Sequence, residues 1–209
     1  MASTATPYGF RAVNELGGLP YAGSTRSFPL DPAGYAVNIF NGSLVYVAAS
    51  GYLQLVTATG ADATTNYFPT GSGSSATNTG AIGVFVGCSY VNAQGQTIFS
   101  QYYPANAVNA IAFVIDDDRA VFAVQANNTV AASALGTNVF LANIQSTSTG
   151  STTTGNSNIA VSASSTAATA AFRIVGFVNN AQSQPGDAYT DLLVKFNPGY
   201  HSYTIAIGL

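Results

Sequence analysis

Few residues in this chain are of types that do chemistry, and their spacing limits what each can do. His201 is the only histidine, so any Ser-His-Asp relay must pass through it. No Gly-x-Ser-x-Gly nucleophile elbow accompanies it. Its setting, Gly199-Tyr200-His201-Ser202-Tyr203, reads as the start of a strand with a packing histidine. Cys88 is the only cysteine and lies in the apolar run Gly83-Val84-Phe85-Val86-Gly87-Cys88-Ser89-Tyr90. A buried thiol there acts as a small hydrophobe, and as a nucleophile it would need His201 for its base. Asp116-Asp117-Asp118 is the densest charge cluster. Calcium loops space their acidic ligands with other residues, whereas three successive aspartates splay apart. Flanked by Ile111–Ile115 and Ala120–Val124, the triplet reads as the tight turn of a hairpin. Asp187 follows Pro185-Gly186 in a turn, and with Asp191 it is the one candidate for a glycosidase-type carboxylate pair. There is no Trp for a sugar platform, although 12 Tyr are available. No zinc spacing, phosphate loop or dinucleotide fingerprint is found. The reading is of a protein with no catalytic set, no metal and no cofactor.

Composition narrows the class further. Charged residues make up 6% of the 209 residues, against about 25% in ordinary globular chains. Hydrophobic content stays at 47%, so a core is affordable and the chain is not of disordered composition. Net charge is −3. Without a basic stripe there is nothing to displace counterions from nucleic acid, and nothing to hold an anionic membrane surface. No run approaches the roughly 18 apolar residues of a membrane span. Met1-Ala2-Ser3-Thr4-Ala5-Thr6-Pro7 lacks the basic and apolar regions of a signal peptide. A surface this poor in charge has weak protection against association and suits permanent contact with other subunits.

Stepping along the chain, strand signals dominate. Short runs rich in Val, Ile, Phe, Tyr and Thr, bounded by Gly, Asn, Asp or Pro, predict strands near 36–40, 43–49, 51–57, 81–91, 96–103, 110–116, 119–126, 138–145, 158–163, 170–179, 189–197 and 201–207. No longer window carries a 3.6-residue period. The expected fold is all-β: a β-sandwich or jelly-roll-like body, or a barrel. Two polar tracts, 57–80 and 145–157, read as long exposed loops. Residues 1–34 are broken by Pro7, Gly9, Gly17, Gly18, Pro20, Gly23, Pro29 and Pro32, yet they carry Tyr8, Phe10, Leu16, Leu19 and Tyr21. The domain reading is an extended N-terminal arm, 1–34, and a single β domain, 35–209.

Pro7-Tyr8-Gly9-Phe10-Arg11-Ala12-Val13, followed by Leu16-Gly17-Gly18-Leu19-Pro20-Tyr21-Ala22-Gly23, resembles the opening of the tailed-bacteriophage capsid decoration (cement) proteins. Members commonly carry Gly-Phe-x-Pro-Val and then Gly-x-Pro-Tyr-x-Gly; Ala12 stands where Pro is common. Phe113–Ala126 is similar to that family's central hairpin, and Ala171–Val178 with Leu193–Asn197 to its C-terminal part. The resemblance implies a cement protein on the outer virion surface, bound to the major capsid protein as a homo-oligomer, a trimer, with no catalytic residues. The arm residues Tyr8, Phe10, Leu16, Leu19 and Tyr21 then become candidate anchors in neighbouring pockets, or a cover folded back on the body itself. A receptor-binding or adhesive β module, of tail-fibre or glycan-binding type, is the alternative from a different class.

Overall fold

The computed structural model describes residues 4–57, 80–143, 145–146, 148–166, 170–178 and 181–204. Among the described residues, alternating apolar residues produce eleven strands: β1 (Arg11–Glu15), β2 (Arg26–Pro29), β3 (Leu44–Val47), β4 (Leu53–Leu55), β5 (Gly83–Val91), β6 (Thr97–Ser100), β7 (Val108–Ile115), β8 (Ala120–Gln125), β9 (Asn138–Val139), β10 (Phe172–Phe177) and β11 (Asp191–Phe196). They form two antiparallel sheets. One runs β1-β8-β11-β10-β9; the other runs β2-β7-β5-β3-β4, with β6 also pairing with β5. The protein is an all-β sandwich, as its succession of short strand signals predicts.

Strand period 2 sends alternate residues to opposite faces, and the cores follow it. Val84 of β5, Leu44 of β3 and Ile115 of β7 face Phe122 and Val124 of β8, Phe172 and Ile174 of β10 and Leu192, Val194 and Phe196 of β11, forming the core between the sheets. Phe85, Val45 and Val114 point the other way, into a second core under Leu30, Ile39 and Tyr103. There the Tyr103 hydroxyl accepts from the Tyr35 N–H at 2.8 Å and donates to the Ala107 carbonyl at 2.8 Å. This bond pair clamps the covering layer onto the second sheet.

Four sequence expectations change. Of the arm read over 1–34, residues 4–34 do not stand apart from the body, because β1 and β2 are edge strands of the two sheets and Phe10 and Leu30 are core residues. The segments 36–40 and 158–163 are not strands but coverings held by single bridges, Ile39 to Tyr103 and Val161 to Ala126 and Leu141. The expected strand at 201–207 is a 3-10 turn over Ser202–Thr204, with 205–207 outside the described residues. Finally, the Asp116–Asp118 turn is not a hairpin. It carries the chain from β7 in one sheet to β8 in the other, with Asp117 Oδ1 accepting the Arg119 N–H at 2.8 Å.

Candidate functional site

The five arm residues separate into two groups. Phe10 is 1% exposed; it stacks on Phe172 at 4.8 Å between ring centroids and meets Phe122 edge-on at 6.2 Å. Tyr8 is half-buried and its hydroxyl donates to Asp191 Oδ1 at 3.2 Å, with the Arg11 guanidinium 4.7 Å from its ring centre. Tyr21 packs against the main core, and its hydroxyl donates to the Ser24 carbonyl. These three fold back onto their own body. Leu16 and Leu19 do not: they are 41% and 67% exposed.

What displays the two leucines is a hairpin. The Glu15 N–H donates to the Leu19 carbonyl at 2.8 Å and the Tyr21 N–H to the Val13 carbonyl at 3.1 Å. Gly17 and Gly18 close the turn at φ 124° and 85°, values that side-chain-bearing residues rarely adopt. Leu16 N–H is pinned to the Arg119 carbonyl at 2.8 Å, which fixes the tip against the sheet-crossing turn. An apolar tip with a fixed base is a suitable shape for seating in a foreign pocket.

Beside the hairpin a groove of about 500 Å³ opens between the sheets. Its apolar lining comes from Phe10, Val86 and Ile115, and its polar lining includes Arg11, Gln101 and Asn156. Gln101 Nε2 donates to Asn156 Oδ1 at 3.0 Å, setting both amides at the rim. No acidic side chain lines it. The second sheet is nearly free of charge: of its strands only β2 carries a charged residue, Arg26, and between Asp31 and Asp116 the sequence holds one, Asp62. On that sheet Phe99 is 76% exposed, and Ile111 is also exposed. Both pair with Ser89, so they lie on one face. The sequence reading missed this face; its only signal was the adjacent pair Ile98-Phe99, which a strand must send to opposite faces.

The candidate catalytic groups are not assembled. Cys88 is buried in the second core, its thiol donating to the Tyr102 carbonyl at 3.4 Å, and burial pushes its pKa up to about 12. It is therefore neutral at physiological pH and no nucleophile. His201 belongs elsewhere, edge-on to Phe196 of the main core at 5.2 Å. Asp187 closes its own turn by accepting the Gln184 N–H, while Asp191 is engaged by Tyr8. Asp116 pairs with Arg26 at 3.0 Å and accepts from the Tyr203 hydroxyl at 2.7 Å. Among the described residues no three acidic, His or Cys side chains gather as metal ligands. The tract 145–157 is pinned down, with Gln145 and Ser157 buried; most of 57–80 lies outside the described residues.

His201 makes the fold sensitive to acid. It is fully buried, and Nδ1 accepts the Tyr203 N–H at 3.3 Å. Burial lowers its pKa, against the pull of Asp118, Asp116 and Asp117. A histidine lowered on folding stabilises the fold above its unfolded value, about 6.5, and that stability is lost as pH falls through the lowered value. Urea midpoints measured from about pH 7.5 to about pH 5 should fall for the wild type. They should stay flatter for His201→Gln, which keeps an acceptor and does not titrate; equal slopes would contradict the assignment.

Comparison with known protein families, curated proteins and solved structures gives no match for this chain.

Proposed function

We propose that this chain is a capsid decoration protein of the tailed-phage type. It binds the assembled lattice of a major capsid protein on the outer face of the virion, stabilises the shell and catalyses nothing. The observation that carries the proposal is the β1 hairpin, which holds Leu16 and Leu19 exposed on a rigid base. The distributed resemblance of the sequence to such proteins supports the same reading.

The physics is additive. Each leucine moved from water into a pocket contributes about 1.5–3 kcal/mol. A cement protein repeats the contact at every lattice site, so pulling capsomers apart exposes that apolar area again. The uncharged face bearing Phe99 and Ile111 supports self-association, in line with a homotrimer, because an interface core is depleted in charge.

The fold determines how to test this. Deleting residues 1–24 would remove Phe10 from the aromatic core, so lost binding would only report unfolding. Leu16→Ser with Leu19→Ser instead alters exposed side chains alone. The double variant should melt within a few degrees of the wild type and lose about 100-fold in shell affinity, on the order of 3 kcal/mol. Undiminished binding in a pelleting assay would remove the hairpin from the contact.

A second reading, an adhesive or glycan-binding module, draws on the Gln101 and Asn156 amides at the groove rim. Copy number separates the two: a cement protein approaches parity with the major capsid protein, while a fibre is scarce.

A further inference from the structure

The face that bears Phe99 runs on into the groove beside the β1 hairpin. On β7, Ala110, Ala112 and Val114 belong to the second core, so strand alternation sends Ile111, Phe113 and Ile115 to the opposite face. Ile115 and Val86 line the groove, while Phe99 and Ile111 flank Ser89 on that same face. An apolar strip therefore leads from the groove to Phe99. Its far end is open to water, with Phe99 76% and Ile111 45% exposed. Exposed apolar surface that continues into a recess is where a partner sits.

Charge and shape decide which partner. β5, β6 and β7 hold no charged residue, and no acidic side chain lines the groove. Arg11, the one charged residue in the lining, is itself exposed. A second copy of this chain with its Phe99 in the groove buries no ion, and an unpaired buried charge is the heaviest penalty on such a contact. Phe99 is also the most exposed large hydrophobic side chain among the described residues, and a groove of about 500 Å³ has room for its ring. A chain that carries both an apolar knob and an apolar recess associates with itself, reciprocally in a pair or in sequence around a ring.

We propose that Phe99 of one copy seats in the groove of another, against Val86 and Ile115. This names the contact behind the self-association in the decoration reading and rests on that part of it alone; Leu16 and Leu19 stay free for the shell. Sedimentation equilibrium of the isolated wild type should show a dimer or trimer. Phe99→Ser removes the knob, and Thr25→Arg crowds the groove with a second cation near Arg11. Phe99 and Thr25 are both exposed, so melting temperatures should stay within a few degrees of wild type. Each variant alone should associate at least about tenfold more weakly. Mixed, the intact Phe99 of one variant meets the intact groove of the other, so the mixture should associate more tightly than either alone. Amide exchange over residues 97–100 of the wild type should slow as concentration rises, a readout independent of both variants. A wild type that stays monomeric with exchange unchanged overturns the inference. So does a mixture no tighter than its parts, which sets Phe99 against something other than the groove. If wild type is monomeric and Phe99→Ser loses shell affinity, the occupant is the shell protein and the inference falls. An associating wild type that fails to pellet with shells sinks the decoration reading instead and leaves this contact standing.

Discussion

Gly83→Ala is expected to leave the protein unable to fold stably. Gly83 starts β5, between β3 and β7: it pairs with Val45 on one side, and its neighbour Val84 pairs with Ile115 on the other. A Cβ at this position would overlap the Ile115 carbonyl oxygen and approach the Ile115 carbonyl carbon at 2.8 Å. The obstacle is backbone, so no rotamer change relieves it. Ile115 is the last residue of β7 before the turn that crosses to the other sheet, so displacement at this point strains the junction of the whole sandwich. Overpacking ordinarily costs about 1–3 kcal/mol. A clash with central backbone should exceed about 4 kcal/mol, a large part of a total stability of about 5–15 kcal/mol. By contrast Gly95, at φ 77° with no atom near its added Cβ, should lose only about 1 kcal/mol as alanine. Calorimetry of both variants checks this; a Gly83→Ala protein melting within a few degrees of wild type would refute the packing described for β5.

The second large effect falls on Gln145. Its Oε1 accepts the Leu44 N–H at 2.8 Å, and its Nε2 donates to the carbonyls of Leu44 at 3.0 Å and Val56 at 2.7 Å. One buried side chain thus supplies the ladder partners that β3 lacks. The Leu44 carbonyl also accepts the Val56 N–H at 3.0 Å, so truncation orphans two groups, the Leu44 N–H and the Val56 carbonyl. Each unsatisfied buried group costs about 1–3 kcal/mol, so Gln145→Ala should lose about 3–5 kcal/mol in urea unfolding. Gln145→Glu should be worse near neutral pH, because a carboxylate would face two carbonyls, and it should recover partly as acid protonates it. A Gln145→Ala loss below about 1 kcal/mol would mean that the clamp contributes little.

The strands whose partners repeat the same period were legible from sequence. β5, β7, β8, β10 and β11 fall within a few residues of the predicted runs, because each alternates or is apolar enough to be buried on both faces. The first 34 residues were not, because Pro and Gly argue against a central strand but not against an edge. β1 and β2 owe their strand character to distant β8 and β7. The Asp116–Asp118 turn shows a different limit. Two strands around a short turn look alike whether they pair or part into separate sheets, and only the facing strands, β11 and β5, decide. Ile39 and Val161 carry strand-like sequence yet serve as cover, since apolar residues buried beneath a loop have no distinguishing period.

The same ambiguity runs through the candidate site. An apolar side chain in a Gly-rich segment serves equally well as an anchor in a neighbour or as a part of its own core, so sequence does not distinguish Phe10 from Leu19; the entry of β1 into a sheet does. Leu16 and Leu19 were named for their type, and only the hairpin gives them direction. Gln145 was invisible, because a glutamine opening a Ser/Thr tract gives no hint that it is buried.

The most direct test of the account is stoichiometry on the particle. Purified protein titrated onto shells that lack it, then quantified by gel against the major capsid protein, should saturate at a fixed ratio approaching parity. Cryo-electron microscopy of the saturated shells should place the β1 hairpin against the lattice. No saturable binding, or a few copies confined to one vertex, would contradict the decoration reading and leave an adhesive module as the better description.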